Sequence, residues 1–231
     1  MKLPFVEANF AMTVDGKIST RNYAPTGFTS PRDKRRLLEI RARGDALLVG
    51  RRTLETDNMS MGLPGRDLRE QRMREGRPAE PLRVIVSGRG KLDRELKVFR
   101  TRGAPIVVFT TGSMPRTTRT WLERIADVRI AGRAGGALDL GKALEVLRTD
   151  YNVRSAVCEG GPSLLRGLLA RGLLDRIFVT FAPLVFGGAG APTLLGPAAG
   201  SLLGSSVRLR LEGFESAGGE GYATYRVLKS R

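Results

Sequence analysis

Val157-Cys158-Glu159-Gly160-Gly161-Pro162-Ser163 reads as the end of a strand, two glycines, and a helix start with proline in its first turn. Before it, Ser155-Ala156-Val157-Cys158 is a short apolar run. After it, Leu164, Leu165, Leu168 and Leu169 form a helical stripe that stops at Gly172. A buried strand that feeds an amphipathic helix is the repeating unit of a parallel α/β sheet. The glycines let backbone pass close to a ligand, and the exposed N–H groups of the helix start favour an anion such as phosphate. A plain strand-to-helix turn also favours glycine, so from this fragment alone the two readings stand level.

The same alternation extends in both directions. Phe5 to Met12 reads as a first strand, with a turn at Asp15-Gly16. Ser30-Pro31 starts a helix, with serine as N-cap, and Leu37, Leu38, Ile40 and Ala42 supply its apolar stripe up to Gly44. Ala46-Leu47-Leu48-Val49, Arg83 to Ser87 and Pro105 to Phe109 have the apolar character of buried parallel strands. Asp139 caps a helix whose Leu140, Ala143, Leu144 and Leu147 fall on one face, and Arg176 to Phe181 is a further strand. Val207 to Leu211 and Tyr222 to Val227 alternate polar and apolar residues in the pattern of an antiparallel edge. Residues 58–81 form a polar, Arg-rich excursion that is expected to be partly helical. The expected architecture is an αβα sandwich with a mainly parallel sheet and antiparallel C-terminal strands, built as a single domain over residues 1–231.

The sequence has 231 residues, 39 basic side chains against 23 acidic ones, a net charge of +16, no histidine and one cysteine, Cys158. Without an imidazole there is no Ser-His-Asp or Cys-His pair, no His zinc ligand and no His general base. One cysteine supplies no disulfide framework, zinc knuckle or iron–sulfur site, and no metal is expected. No apolar run nears the roughly 18 residues of a membrane span, and the N-terminal residues lack a signal-peptide pattern, so a cytoplasmic protein with no membrane partner is expected. The positive charge suggests an anionic partner. Aromatics make up only 6% of the chain and no nucleic-acid-binding signature occurs, which weighs against nucleic acid; a solvated Arg-rich surface is the simpler account.

A second strand end is Val49-Gly50-Arg51-Arg52-Thr53-Leu54-Glu55-Thr56-Asp57. Thr53 is expected either to cap a short helix or to bind phosphate, and Asp57 lies one helical turn on. Two tempting motifs fail. Gly136 to Ala143 has Walker A spacing, but Ala143 stands where a magnesium-binding Ser or Thr is needed and a helical period runs through it. Gly187-Gly188-Ala189-Gly190 lacks the third glycine of a dinucleotide fingerprint and reads as a turn.

Taken in order, these segments resemble one family. Its anchors are Asn9-Phe10-Ala11-Met12-Thr13-Val14-Asp15-Gly16-Lys17-Ile18, Ser30-Pro31, Arg41-Ala42-Arg43 with Asp45 to Gly50, and Thr53 with Asp57. Pro81 to Ser87, Glu159 to Leu164 and Ala182 to Gly188 complete the set. Together they are similar to the riboflavin-biosynthesis pyrimidine reductases. The resemblance implies a dihydrofolate-reductase-like fold, a homodimer, NADPH as cofactor, and reduction of the ribosyl group of a ribosylaminopyrimidine 5′-phosphate to ribityl. It places Ala11, Gly50, Thr53, Asp57, Ser87, Gly160, Gly161, Pro162 and Ser163 at the cofactor and Asn9, Arg41 and Glu159 at the substrate. Lys17, Asp57 and Glu159 are the implied catalytic residues, with Lys17 and Asp57 polarising a carbonyl or relaying a proton.

The chain departs from the pattern at Thr26-Gly27-Phe28-Thr29, where many members carry a tryptophan, and at Asn58-Met59-Ser60-Met61-Gly62, where many carry a Leu-Thr-Val-Arg run. Arg66 or Arg69 would have to replace that arginine. The zinc deaminase that often precedes this domain needs a His-x-Glu motif that this sequence does not contain. Two other readings stand beside the pyrimidine reductase: an NADPH reductase of the same fold acting on another acceptor such as a dihydropterin, and a basic anion- or nucleic-acid-binding protein on the same scaffold.

Overall fold

The computed structural model describes residues 2–20, 27–196 and 206–229, so Thr26 lies outside the described residues. They gather into two compact units, one built on Leu38–Val157 together with the N-terminal residues through Pro4, the other on Phe5–Leu37 and Cys158–Arg231. Nine strands and seven helices are described.

In the first unit, β2 (Ala46–Gly50), β3 (Leu82–Val86), β4 (Ile106–Thr110) and β5 (Asp127–Ile130) pair in parallel, and the strand order runs β5-β4-β3-β2-β6, with β6 spanning Ser155–Cys158. Helices α2 (Arg51–Asp57), α3 (Arg66–Arg74), α4 (Lys97–Arg100), α5 (Arg116–Leu122) and α6 (Leu140–Asp150) fall between the strands. Leu47, Val49, Val84, Ile85, Val107, Val108 and Phe109 are fully buried, as a parallel sheet covered on both faces requires. Asp139 is the N-cap of α6: its carboxylate accepts from the Lys142 N–H at 3.0 Å, and Leu140, Ala143, Leu144 and Leu147 are buried. Strand β5 has no counterpart in the sequence reading, because Asp127-Val128-Arg129-Ile130 is not an apolar run like the equally short β6 and is too brief for its alternation to stand out.

In the second unit the order is β1-β7-β9-β8, where β1 is Phe5–Thr13, β7 is Arg176–Ala182, β8 is Arg208–Ala217 and β9 is Glu220–Leu228. Strand β1 runs parallel to β7, whereas β7–β9 and β8–β9 are antiparallel. The expected antiparallel C-terminal strands are therefore present, with one correction. Of the two, β8 alone is an edge; β9 is bonded on both sides. Arg208 through Ser216 are all exposed, including Leu209 at 43%, Leu211 at 54% and Phe214 at 62%. Alternation sorts side chains onto two faces, but whether a face is covered depends on what packs against it.

Helix α1 (Pro31–Arg43) starts as its sequence predicts, with the Asp33 N–H donating to the Ser30 hydroxyl at 3.2 Å. Helix α7 (Pro162–Ala170) buries Leu164, Leu165, Leu168 and Leu169. No described helix is long and apolar enough to cross a membrane.

The Arg-rich excursion is helical in part, as α3, but it is not simply solvated charge. Arg72 is 1% exposed, and its guanidinium donates to the carbonyls of Ala42 (2.8 Å), Gly44 (2.6 Å) and Pro78 (2.9 Å). Arg77 reaches the Arg43 carbonyl at 2.8 Å. The end of α1 leaves carbonyls without helical partners and carries partial negative charge, so these two arginines serve as its C-cap. Arg83, also buried, donates to the carbonyls of Ala104 (2.7 Å) and Val98 (2.9 Å). Burial lowers the pKa of both Arg72 and Arg83, the expected direction for a desolvated cation.

Candidate functional site

In the first unit Gly50 and Ser87 lie at the carboxyl ends of parallel strands, where open α/β sheets bind ligands, while Thr53 and Asp57 lie on the helix that follows β2 and Arg41 on α1. Gly50 closes β2 and is the N-cap of α2, with no side-chain capping bond. Thr53 is therefore inside the helix, at its third residue, and the expectation that it caps is corrected: the helix begins directly from the strand at Arg51. Thr53 is half-buried, and Asp57 ends α2 exposed to solvent. Asn58 follows in the left-handed conformation, and its side-chain oxygen accepts from the Lys97 N–H at 2.9 Å.

Ser87 follows β3. It is 3% exposed, and its hydroxyl has no hydrogen-bond partner. Buried hydroxyls are normally bonded, so an orphan at a strand end points to a group the protein chain does not itself supply. The nearby loops provide amide and hydroxyl groups and no carboxylate from Ser87 to Gly90 or from Thr111 to Arg116, a donor set suited to a phosphorylated nucleotide. Arg41 is buried, and its guanidinium donates to the Gly62 carbonyl at 2.9 Å. Arg66 pairs with Glu70 at 2.7 Å and Arg69 with Glu80 at 3.7 Å.

In the second unit, Asn9 and Ala11 share one face of β1, and the Asn9 side-chain oxygen is a second buried atom without a partner. Lys17 is held by a tight turn. The Thr13 N–H donates to its carbonyl at 2.8 Å, its own N–H donates to the Thr13 hydroxyl at 3.0 Å, and its Nζ reaches the Ala191 carbonyl at 3.5 Å. Asp15, outside the predicted set, clamps the loop opposite. Its carboxylate accepts from Thr13 Oγ1 (2.5 Å) and from the N–H groups of Phe186 (3.2 Å) and Gly187 (2.8 Å), and the Thr13 bond most of all holds its pKa down. The Gly187-Gly188 segment is the turn its sequence suggests, with both residues at positive φ.

Glu159 is half-buried and leads into Gly160 and Gly161, which are joined by a cis peptide bond. Gly160 has φ +118, a conformation that a side chain rarely tolerates. Gly161 is the N-cap of α7 without a side-chain cap, Pro162 stands at its start and Ser163 is exposed. Cys158 beneath them is fully buried, and burial pushes its thiol up to about 12, so it is inert near neutral pH. Among the described residues no group of three or more His, Cys, Asp or Glu is arranged to hold a metal ion.

A family model described as the RibD C-terminal domain matches residues 4–222. The chain belongs to that family. A 2,5-diamino-6-ribosylamino-4(3H)-pyrimidinone 5′-phosphate reductase of Archaeoglobus fulgidus is 28% identical over 191 residues, 83% of this chain and 85% of its own length. The protein of the same name from Methanothermobacter thermautotrophicus is 29% identical over 224 residues, 97% and 98% of the two chains. Among solved structures, a pyrimidine reductase-like protein of Corynebacterium diphtheriae superposes with a TM-score of 0.83 at 20% identity, covering 98% of this chain and 93% of its own.

This RibD C-terminal domain also contains a buried polar network that the sequence reading missed, because its members are far apart in the chain. The Glu220 carboxylate, 3% exposed, accepts from the Ser30 N–H (2.7 Å), the Ser30 hydroxyl (2.5 Å) and the Tyr222 hydroxyl. Asp33 accepts from Thr180 Oγ1 at 2.6 Å, Arg36 donates to Thr180 at 3.3 Å, and the Arg36 guanidinium lies over the Tyr222 and Phe178 rings. Burial acts to raise the Glu220 pKa, but the Ser30 and Tyr222 bonds outweigh it and hold the carboxyl below the usual range. A depressed carboxyl stabilises the fold above its unfolded pKa of about 4.3, and that stability is lost as pH falls through the folded value. In the Glu220→Gln variant the acid limb of a stability–pH profile, measured by denaturant titration, should be shallower than in the parent; parallel profiles would reject this role.

Proposed function

We propose that this protein uses NADPH to reduce the ribosyl group of a ribosylaminopyrimidine 5′-phosphate to ribityl. The observation that carries the reading is the partnerless buried hydroxyl of Ser87 at the carboxyl end of β3, beside loops rich in amide and hydroxyl groups. The substrate class follows from the names of the archaeal relatives.

For the first unit the reading assigns Gly50, Thr53, Asp57 and Ser87 to the cofactor; for the second, taken by itself, it assigns Ala11, Gly160, Gly161, Pro162 and Ser163. Asn9, Arg41 and Glu159 bind substrate. NADPH, when bound, supplies the hydride. The ammonium of Lys17 polarises the acceptor carbonyl or imine, and the Asp57 carboxyl relays the proton that must reach its heteroatom. Neither role needs an imidazole. We further propose that the whole chain acts as one reductase domain in the cytoplasm and pairs as a homodimer, a reading supported by the uncovered Leu209, Leu211 and Phe214 on edge strand β8.

A second reading, reduction of a different acceptor such as a dihydropterin, has one observation in its favour. The buried guanidinium of Arg41 is bonded to Gly62, inside the segment where the chain departs from the family pattern. Steady-state assays with NADPH against the diamino and deaminated ribosylaminopyrimidine 5′-phosphates and dihydrofolate separate the two. Turnover confined to the ribosylaminopyrimidines is expected; turnover of dihydrofolate alone would transfer the conclusion to the second reading. Absence of saturable NADPH binding by nicotinamide fluorescence would sink both.

A further inference from the structure

We propose that Asp15 is a positioning residue for the reduction: its carboxylate fixes the segment that follows β7, and that segment holds the ammonium of Lys17. The assignment rests on the reductase reading above, in which Lys17 polarises the acceptor, and deepens it.

All of the contacts lie within the second unit. Residues 13–18 turn back at the end of β1, and residues 183–193 follow β7, the neighbouring strand. Two backbone bonds tie the segments together: the Val14 N–H donates to the Leu184 carbonyl at 2.9 Å and the Ile18 N–H to the Pro192 carbonyl at 3.0 Å. Between these ties stand Gly187 and Gly188, with φ +64 and +77, and the Ala191 N–H donates to the Gly188 carbonyl at 3.1 Å. A Gly-Gly pair is the least constrained backbone a chain can have. Asp15 removes that freedom at the near end, where its carboxylate accepts from the N–H groups of Phe186 at 3.2 Å and Gly187 at 2.8 Å. At the far end Ala191 supplies the carbonyl that receives the Lys17 Nζ at 3.5 Å, and Thr193 forms a β-bridge with Lys17.

These bonds require a carboxylate. Oδ1 accepts from the Thr13 hydroxyl at 2.5 Å and from Phe186, and Oδ2 from Gly187, so every partner is a donor. An amide of the same shape would set an NH₂ group against one of those donors. The Thr13 bond most of all holds the Asp15 carboxyl below its ordinary pKa, which keeps it ionised near neutral pH. With both oxygens taken up by these donors, Asp15 acts on Lys17 through the backbone and not as its counter-ion. Thr13 is the second link: it is fully buried, and its hydroxyl donates to Asp15 while accepting from the Lys17 N–H at 3.0 Å. Apolar packing does not account for the arrangement, since Val14 and Val185 are each 71% exposed and Leu184 is 42% exposed. Polar bonds centred on Asp15 set the shape of a loop pair that buries little, and the side chain they place is Lys17.

The test follows single-turnover hydride transfer from NADPH to the ribosylaminopyrimidine 5′-phosphate by nicotinamide absorbance, with NADPH affinity read by fluorescence. The chains compared are the parent, Asp15→Asn, Thr13→Val and Lys17→Ala, and each of the first two variants combined with Lys17→Ala. Asp15→Asn and Thr13→Val should each slow transfer about 10- to 100-fold with NADPH affinity retained, because a small displacement of a donor forfeits much of its effect. Combined with Lys17→Ala, each should add no loss beyond about twofold, since residues that act as one unit are not additive. A general loosening of the fold would instead multiply the losses. Multiplied losses, or an unchanged rate in Asp15→Asn, overturn the assignment and leave the reductase reading in place; if Asp15→Asn does not fold, Thr13→Val decides by the same criteria. Lys17→Ala at the parent rate also overturns it, because Asp15 would then have nothing to position. If the parent transfers no hydride to the ribosylaminopyrimidine, the reductase reading falls and the assignment with it.

Discussion

Lys17→Ala should slow single-turnover hydride transfer by about 10²- to 10⁴-fold, the range for loss of a positioned acid or base. Lys17 is suited to that role because its backbone is pinned on both sides by Thr13 while, among the described residues, its ammonium makes one long contact, 3.5 Å to the Ala191 carbonyl. An ammonium has three donors, so it can hold Ala191 and still donate to a developing negative charge. The stiffness of the turn matters as much as the charge, because a misplaced donor forfeits most of the effect. Asp57→Asn is the companion experiment. It keeps the shape at the end of α2 and removes proton relay, and a loss of similar size is expected. The measurement is the nicotinamide absorbance decay with enzyme in excess over cofactor and saturating substrate. Unchanged rates in both variants would remove these residues from the chemistry. If the rate falls in Lys17→Ala while the fluorescence-detected affinity for NADPH is retained, the defect lies in the chemical step and not in cofactor binding.

Arg72→Ala should cost about 3–5 kcal/mol of stability, read as a fall in the urea midpoint, because it leaves three carbonyls without a donor and opens a cavity. The carbonyls of Ala42 and Gly44 belong to the end of α1 and its cap, and that of Pro78 to the segment leading into β3. One planar guanidinium serves all three, with Nε directed to Pro78 and Nη1 to the other two. Arg72→Lys should recover little of the loss, since a single ammonium cannot place donors in that fork. For a protein with a typical margin of about 5–15 kcal/mol, a loss of this size is a large share of the total. A midpoint within experimental error of the parent would show that these carbonyls are satisfied by water instead.

These two residues also show how far the sequence could be read. Lys17 stands in a run, Thr13-Val14-Asp15-Gly16-Lys17, whose turn follows from the Asp-Gly pair and whose placement after a strand follows from the apolar residues before it. Arg72 sits in a polar stretch with arginines on both sides, and nothing local distinguishes it from Arg69 or Arg74. What sets it apart is the end of α1, about 30 residues away in the chain, whose orphan carbonyls it meets in the folded state. The Ser30–Glu220–Tyr222 network escaped notice for the same reason. Ser30 was legible as an N-cap, but its bond to Glu220 spans 190 residues. Thr53 went the other way: its hydroxyl suggested a cap, while the helix begins two residues earlier, straight from the glycine that ends β2.

The sequence by itself determined the elements whose causes are local. Apolar runs made β2, β3, β4 and β6, helical stripes made α6 and α7, and Ser30, Asp139 and Gly172 marked helix ends, because periodicity and capping act within a few residues. Its missing histidines also excluded triads and histidine-ligated zinc before any fold was known. The tertiary structure alone decided which alternating strand is buried and which is left open, so that β9 lies inside and β8 at the edge. It alone decided which arginines are structural staples, which are paired on the surface and which stand without partners. Burial and pairing depend on what arrives from distant parts of the chain, and a charge count of +16 carries no information about that.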